Sequence, residues 1–175
     1  MAKKIPYGLT DYVLLMTDNY YYVDKTRYIE QLEQTARFLF LIRPRRFGKS
    51  LFLNMLNCYY DVKYADRFNE LFGEQYIGKH PTSEQGKYLV LYFNFSAVRG
   101  TGEALEENFN MYAKIQMEAF ADQYASYFEL GFSQGIRELK SAASQLNYIG
   151  KRAGMLGLSI YLLIDEYDNF TNTIL

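Results

Sequence analysis

Phe38-Leu39-Phe40-Leu41-Ile42-Arg43-Pro44-Arg45-Arg46-Phe47-Gly48-Lys49-Ser50 passes from five apolar residues into a basic turn that closes in glycine, lysine and serine. Residues 38–42 are apolar without alternation, the pattern of a strand covered on both faces in a parallel sheet. The run ends at Pro44. Just downstream, Phe52, Met55, Leu56 and Tyr59 recur at helical spacing, so the path reads strand, short loop, helix. That is the context a phosphate-binding loop requires. Against the pattern G-x-x-x-x-G-K-[ST], Gly48, Lys49 and Ser50 match, while Arg43 replaces the opening glycine. The closing half carries the physics. Gly48 lets backbone N–H groups approach phosphates at a helix N-terminus, where partial positive charge accumulates. Lys49 would reach the β and γ phosphates, and Ser50 would give its hydroxyl to Mg²⁺. The nucleotide-contacting set on this reading is Arg45, Arg46, Phe47, Gly48, Lys49, Ser50 and Leu51. The competing reading of Gly-Lys-Ser is an ordinary start of a helix after a turn.

A second motif lies far downstream. Ile160-Tyr161-Leu162-Leu163-Ile164 is an apolar strand that ends in Asp165 and Glu166, and ligands of open α/β sheets bind at the carboxyl ends of strands. In phosphate-loop enzymes an Asp at such a place helps to hold Mg²⁺ and a neighbouring residue can orient the attacking water. Asp165 is therefore assigned to the metal and Glu166 to the water, with Lys49 and Glu166 as the catalytic pair. The competing reading has both acids favouring the positive end of a following helix. Between the motifs, residues 88–95 read as another buried strand. A helix follows Gly102 with Leu105, Phe109, Tyr112, Ile115 and Ala119 as its apolar stripe. A further helix from Ser133 to about Gly150 has Ile136, Leu139, Ala143 and Leu146 inward. Residues 61–87 read as a helical turn and a long connection, and residues 3–19 as mixed and turn-rich. A short β-prone piece at 20–23 precedes a helix that Asp24 or Thr26 caps, with Ile29, Leu32 and Ala36 on one face. Strands alternating with helices imply a mostly parallel sheet between helical layers.

Composition narrows the classes further. The chain has 175 residues, 49% of them apolar and 22% charged, with a formal net charge of −1. That is the make-up of one soluble globular domain. With 18 Tyr and 13 Phe, it is too rich in large apolar side chains to stay unfolded. The longest apolar run, 88–93, is far short of the ~20 residues of a membrane-spanning helix. The N-terminal residues lack the apolar stretch of a secretory signal, so the expected compartment is the cytoplasm. One cysteine, Cys58, and one histidine, His80, are too few for an internal disulfide or a structural zinc site. Cys58 reads as a small core residue and His80 as a solvated turn residue. Near-zero net charge argues against bulk attraction to nucleic acid, while leaving a local basic patch open.

Several of these strings together resemble the AAA-ATPase-like proteins, a bacterial and archaeal group of P-loop ATPases. The matching pieces are Ile5-Pro6-Tyr7-Gly8, Tyr22-Val23-Asp24-Lys25-Thr26 with Ile29 and Leu32, residues 43–51 with their Arg-Pro-Arg-Arg-Phe-Gly-Lys-Ser-Leu sequence, and Leu163-Ile164-Asp165-Glu166-Tyr167-Asp168. The resemblance implies a P-loop NTPase three-layer α/β/α sandwich with a mostly parallel sheet, ATP with Mg²⁺, and Arg43 as a feature of the group. Proteins of the group frequently carry a C-terminal nuclease-like domain as well, and none of it falls within this sequence. In similar ATPases the segment before the first sheet strand lies beside the adenine. Residues 1–36 are then an adenine-flanking segment, with Tyr22, Val23 and Asp24 as base contacts, and 37–175 the core. The tyrosines at 20–22 read equally as an aromatic staple onto the core. Arg45 and Arg46 invite added phosphate stabilisation or nucleic-acid contact, or need no purpose beyond facing solvent.

The resemblance further implies a strand between the 38–42 and 160–164 strands that comes later in the chain than residue 175. Two expectations follow. Either the sequence is the N-terminal part of one domain, cut after the Asp-Glu strand, or the two strands pair directly as in the kinase-like division. The first is preferred here, since the match runs into the last residues without a stop signal. An open slot of that kind presents strand edges, so self-association is expected. Slow hydrolysis is expected too, because an arginine finger, worth ~10³ to 10⁵ in turnover, would lie in the missing part. The alternative function is a nucleotide-dependent regulatory or nucleic-acid-associated module that does not hydrolyse.

Overall fold

A computed structural model describes residues 3–42, 44 and 46–167. Its helices are α1 (Tyr12–Thr17), α2 (Tyr28–Glu33), α3 (Lys49–Tyr60), α4 (Phe68–Phe72) and α5 (Tyr76–Lys79), then α6 (Gly102–Gln123), α7 (Phe132–Glu138) and α8 (Ala142–Met155). The strands are β1 (Leu89–Asn94) and β2 (Ile160–Asp165). The chain divides into two compact units, Met1–Lys87 and Tyr88–Leu175. No helix among the described residues is long and apolar enough to cross a membrane.

The first unit is helical and its core is aromatic. Phe52, Met55, Leu56 and Tyr59 of α3 are buried, as their spacing predicts, and Cys58 is buried beside them. Tyr12 of α1 stacks on Phe72 of α4 at 5.1 Å and meets Tyr22 edge-on at 5.5 Å. Its hydroxyl donates to the Leu71 carbonyl and its amide to Asn54 Oδ1. A buried tyrosine needs such a partner, because an unpaired hydroxyl forfeits its hydration. Helix α1 lies within the segment expected to be turn-rich. Its start is an Asp11 cap, whose carboxylate accepts the Leu14 amide at 3.0 Å, ahead of a run of apolar residues. Helix α2 ends at Glu33, so Ala36 lies beyond it. The turn at Val62–Arg67, α4 and α5 fill the segment expected to be mostly connection.

The strand expected at 38–42 is absent, which corrects the opening reading. These residues adopt no strand, and Phe38, Phe40 and Ile42 are 83%, 77% and 82% exposed. A strand exists only by pairing, and the first unit's described residues offer only an isolated bridge between Lys4 and Tyr20.

The second unit holds a parallel sheet of β1 and β2, with Leu89 opposite Ile160 and Asn94 opposite Asp165. Both strands fall where their apolar runs predict them. The chain is thus of mixed α/β class, with parallel pairing between strands joined by a helical crossover. The outer edge of β1 is closed by tyrosines. The Val90 amide donates to Tyr124 Oη at 3.1 Å, and that hydroxyl also lies 3.4 Å from the Val90 carbonyl. The Asn94 amide donates to Tyr112 Oη at 2.9 Å. Two hydroxyls thereby take up groups that a further strand would have paired.

Helix α6 forms where expected, and Leu105, Phe109 and Tyr112 of its expected stripe are half-buried, the last two against Phe95, but the stripe drifts toward the C-terminal end. Ala113, Met117, Phe120 and Ala121 are buried, whereas Ile115 and Ala119 face solvent. The single helix expected over 133–150 is two. Leu139 is extended, and Ser141 caps α8 by accepting the Ser144 amide. That restart shifts the phase, so Ala142, Gln145, Ile149 and Ala153 are buried while Ala143 and Leu146 are exposed. Gln145 is held by donating to the Ile136 carbonyl at 2.9 Å.

Candidate functional site

The glycine-lysine-serine turn lies in the first unit and its backbone is unusual. Gly48 adopts φ 75°, ψ 28°, the left-handed conformation that glycine takes at least cost. Arg46, two residues earlier, has φ 68°, which costs an L-residue roughly 1–2 kcal/mol. Between them the Phe47 amide donates to the Pro44 carbonyl at 3.3 Å, and the Phe52 amide closes the first turn of α3 onto the Gly48 carbonyl at 3.0 Å. Arg46 and Phe47 are exposed, while Lys49, Ser50 and Leu51 are half-buried. Arg43 and Arg45 lie outside the described residues.

Helix α3 begins without a side-chain cap and carries no acidic residue in its first turn. Most helices satisfy their first N–H groups with a Ser, Thr, Asp or Asn side chain. Here those donors follow a left-handed glycine at the positive end of a twelve-residue helix, a combination suited to an anion. A Cβ built on Gly48 would stand 3.7 Å from the Lys25 ammonium. Lys25 therefore borders the same turn, a placement that the sequence reading had not drawn.

The residues around Lys25 hold the backbone. Asp24 accepts the Thr26 amide at 2.8 Å on one oxygen and the Tyr76 amide at 2.7 Å on the other. Thr26 is fully buried and its hydroxyl accepts the Ile77 amide at 3.1 Å. Tyr22 points its hydroxyl toward Met55 Sδ at 3.4 Å and sits at the Lys25 amide at 3.5 Å. Burial pushes the Tyr22 phenol well above its ordinary pKa. Tyr22 and Asp24 thus tie the segment to α3 and α5, whereas Val23 is exposed.

The paired acids lie in the second unit at the carboxyl end of β2. Asp165 is fully buried, and its Oδ1 accepts the Glu166 amide at 2.9 Å. Tyr92 of β1 directs its hydroxyl to Asp165 Oδ2 at 3.5 Å. Burial first, and the Asp165 carboxylate second, raise the Tyr92 phenol far above its usual value, so it stays a neutral donor. Glu166 is half-buried and has φ 54°. Among the described residues only Asn19, Arg46 and Glu166 are non-glycine positions with left-handed backbone. Arg46 precedes the Gly48 turn in the first unit and Glu166 follows Asp165 in the second, and such strain collects at functional positions.

Cys58 and His80 behave as their contexts predict. Burial pushes the Cys58 thiol up to about 12, and the exposed His80 ring stacks on Tyr76 at 4.4 Å. No group of three or more His, Cys, Asp or Glu suited to a metal occurs among the described residues.

Residues 6–175 match the AAA-ATPase-like family, described as predicted AAA-ATPase. The chain belongs to the AAA-ATPase-like family. A curated relative of this AAA-ATPase-like chain is "Uncharacterized protein in vnfD 5'region" of Azotobacter chroococcum mcd 1, 33% identical over 171 residues. The match takes in 95% of the present chain but 29% of the relative, so the chain spans under a third of that protein's length. No solved structure matches it.

Proposed function

We propose that this chain forms the nucleotide-binding part of a P-loop ATPase that takes Mg²⁺-ATP and, in the whole protein, hydrolyses it. The observation that carries the reading is the turn at Gly48: a left-handed glycine opening an uncapped helix whose first residues are Lys49 and Ser50. On this proposal Lys49 binds the β and γ phosphates, the α3 amides hold their oxygens, and Glu166 orients the water. Mg²⁺ suits the donor set, since the Ser50 hydroxyl and the Asp165 carboxylate are hard oxygen ligands and the ion readily shares its shell with phosphates and water. When bound, it would neutralise charge developing on the transferred phosphoryl group. Catalysis would rest on positioning and charge stabilisation, without a covalent intermediate. Family membership supports the ATPase reading at the level of the group.

The finer architecture is part of the same proposal: a P-loop three-layer α/β/α sandwich with a mostly parallel sheet, in a cytoplasmic protein. The deciding experiment is calorimetric titration of Mg²⁺-ATP into wild type and Lys49→Ala. Loss of a charged hydrogen-bond donor from the phosphates should weaken binding by about tenfold or more. Equal affinities would remove the lysine, and with it the reading.

A further inference from the structure

Lys25 is the one residue of the Asp24-Lys25-Thr26 string whose side chain the fold does not use. Asp24 spends both oxygens on the Thr26 and Tyr76 amides, and buried Thr26 accepts the Ile77 amide. The Tyr28 amide donates to the Lys25 carbonyl at 3.1 Å, and Tyr22 Oη sits at its amide. The backbone of Lys25 is pinned on both sides, while the ammonium of this half-buried residue makes no hydrogen bond or ion pair with any described residue. That ammonium stands 3.7 Å from the place a Cβ would take on Gly48.

This is an unfavourable location for a cation in the free protein. It borders the positive end of α3, next to a chain segment that itself carries Lys49, and no carboxylate of the first turn offsets it. Cations are disfavoured at helix N-termini, and a lysine without a partner gains nothing for ordering its long side chain. A fold that clamps the neighbours of such a residue to hold it there implies an anion that completes the arrangement.

We propose that Lys25 is a second phosphate-binding lysine, contributing its ammonium to the nucleotide polyphosphate beside Gly48. The inference rests on the nucleotide reading given above and adds to it a binding residue from the segment preceding the loop. Its role is in binding charge, and the fold does not depend on it.

The test compares wild type, Lys25→Met, Lys25→Arg and Lys49→Ala of the full chain, each titrated with Mg²⁺-ATP and each melted without nucleotide. Lys25→Met should weaken ATP by about tenfold, and Lys25→Arg, which keeps the charge, should stay within about threefold of wild type. The melting temperature of nucleotide-free Lys25→Met should equal or exceed that of wild type, because the unpaired cation is gone. Wild-type affinity in Lys25→Met together with weakened binding in Lys49→Ala would overturn the inference and leave the nucleotide reading standing. A lowered melting temperature in Lys25→Met that Lys25→Arg shares would also overturn it, as a structural role. Failure of wild type to bind Mg²⁺-ATP would overturn both.

Discussion

Replacing Tyr124 by phenylalanine tests the account of how β1 is closed. The ring is buried and packs on Phe120 at 4.7 Å, and phenylalanine keeps that packing. What the substitution removes is one hydroxyl that accepts from the Val90 amide at 3.1 Å and lies 3.4 Å from the Val90 carbonyl. The second of these is long and weak, so the loss is dominated by the amide, which is left buried in a strand residue without an acceptor. A buried donor so orphaned costs about 1–3 kcal/mol. For a chain of this size each kcal/mol moves the melting temperature by about 2–4 °C, so a fall of several degrees is expected. Tyr112→Phe is the internal comparison. Its hydroxyl serves the Asn94 amide at the half-buried end of the strand, where water can replace it, and the cost should be under half as large. Calorimetric melting and amide exchange at Val90 read the two effects separately. Equal stability of Tyr124→Phe and wild type, with Val90 exchange unchanged, would refute the idea that tyrosine hydroxyls stand in for a strand on this edge.

Gly48→Ala should lose about 1–2 kcal/mol from its left-handed backbone alone, since the added Cβ meets only the Lys25 ammonium at ordinary contact distance; urea unfolding measures it, and a neutral change would mean that the turn relaxes freely. Glu166→Gln in the whole protein should keep Mg²⁺-ATP affinity and lower turnover by about a hundredfold; an unchanged rate removes the water-orienting role. Burial raises the Cys58 thiol from 9.0 to about 12, so its contribution to stability is complete below pH 9 and is lost as the pH rises toward 12, at about 1.4 kcal/mol per unit. Urea midpoints of wild type should therefore fall more steeply than those of Cys58→Ala above pH 9, and parallel slopes would contradict the burial argument.

The parts of the fold that follow from short-range pattern were legible. Residues 89–94 and 160–165 pair where their apolar runs end, and α3 buries the stripe its spacing describes. Elsewhere the outcome depended on a partner or a break that no local pattern encodes. Residues 38–42 have the composition of a buried strand, yet backbone pairing and not composition makes a strand, and Phe38, Leu39, Phe40 and Ile42 are left exposed. Leu139 is apolar and fits a helical register, but Ser141 captures the next amide turn and restarts the helix. Past that restart, Ala143 and Leu146 face solvent and Ala142, Gln145 and Ile149 take the inward places. In α6 the inward face is set by the elements packed on it, α7, α8 and β1, and it leaves Ile115 exposed.

The site divides along the same line. Gly48 and the helix behind it are specified within a few residues, because a left-handed glycine before a helix is a local backbone event. Asp165 was legible as the last residue of an apolar strand, but its neutral phenolic neighbour was not, since Tyr92 is 73 residues away and meets it only through strand register. Lys25 is the extreme case. Its position depends on Asp24 reaching Tyr76 and Thr26 reaching Ile77, contacts 52 and 51 residues apart in the chain. A signal was nonetheless present, in a lysine set between two short polar side chains able to accept backbone amides. When both flanks of a cation are committed to holding the chain, the cation between them is the residue left to meet a ligand, and its lack of a partner among the described residues points to an anion supplied from outside.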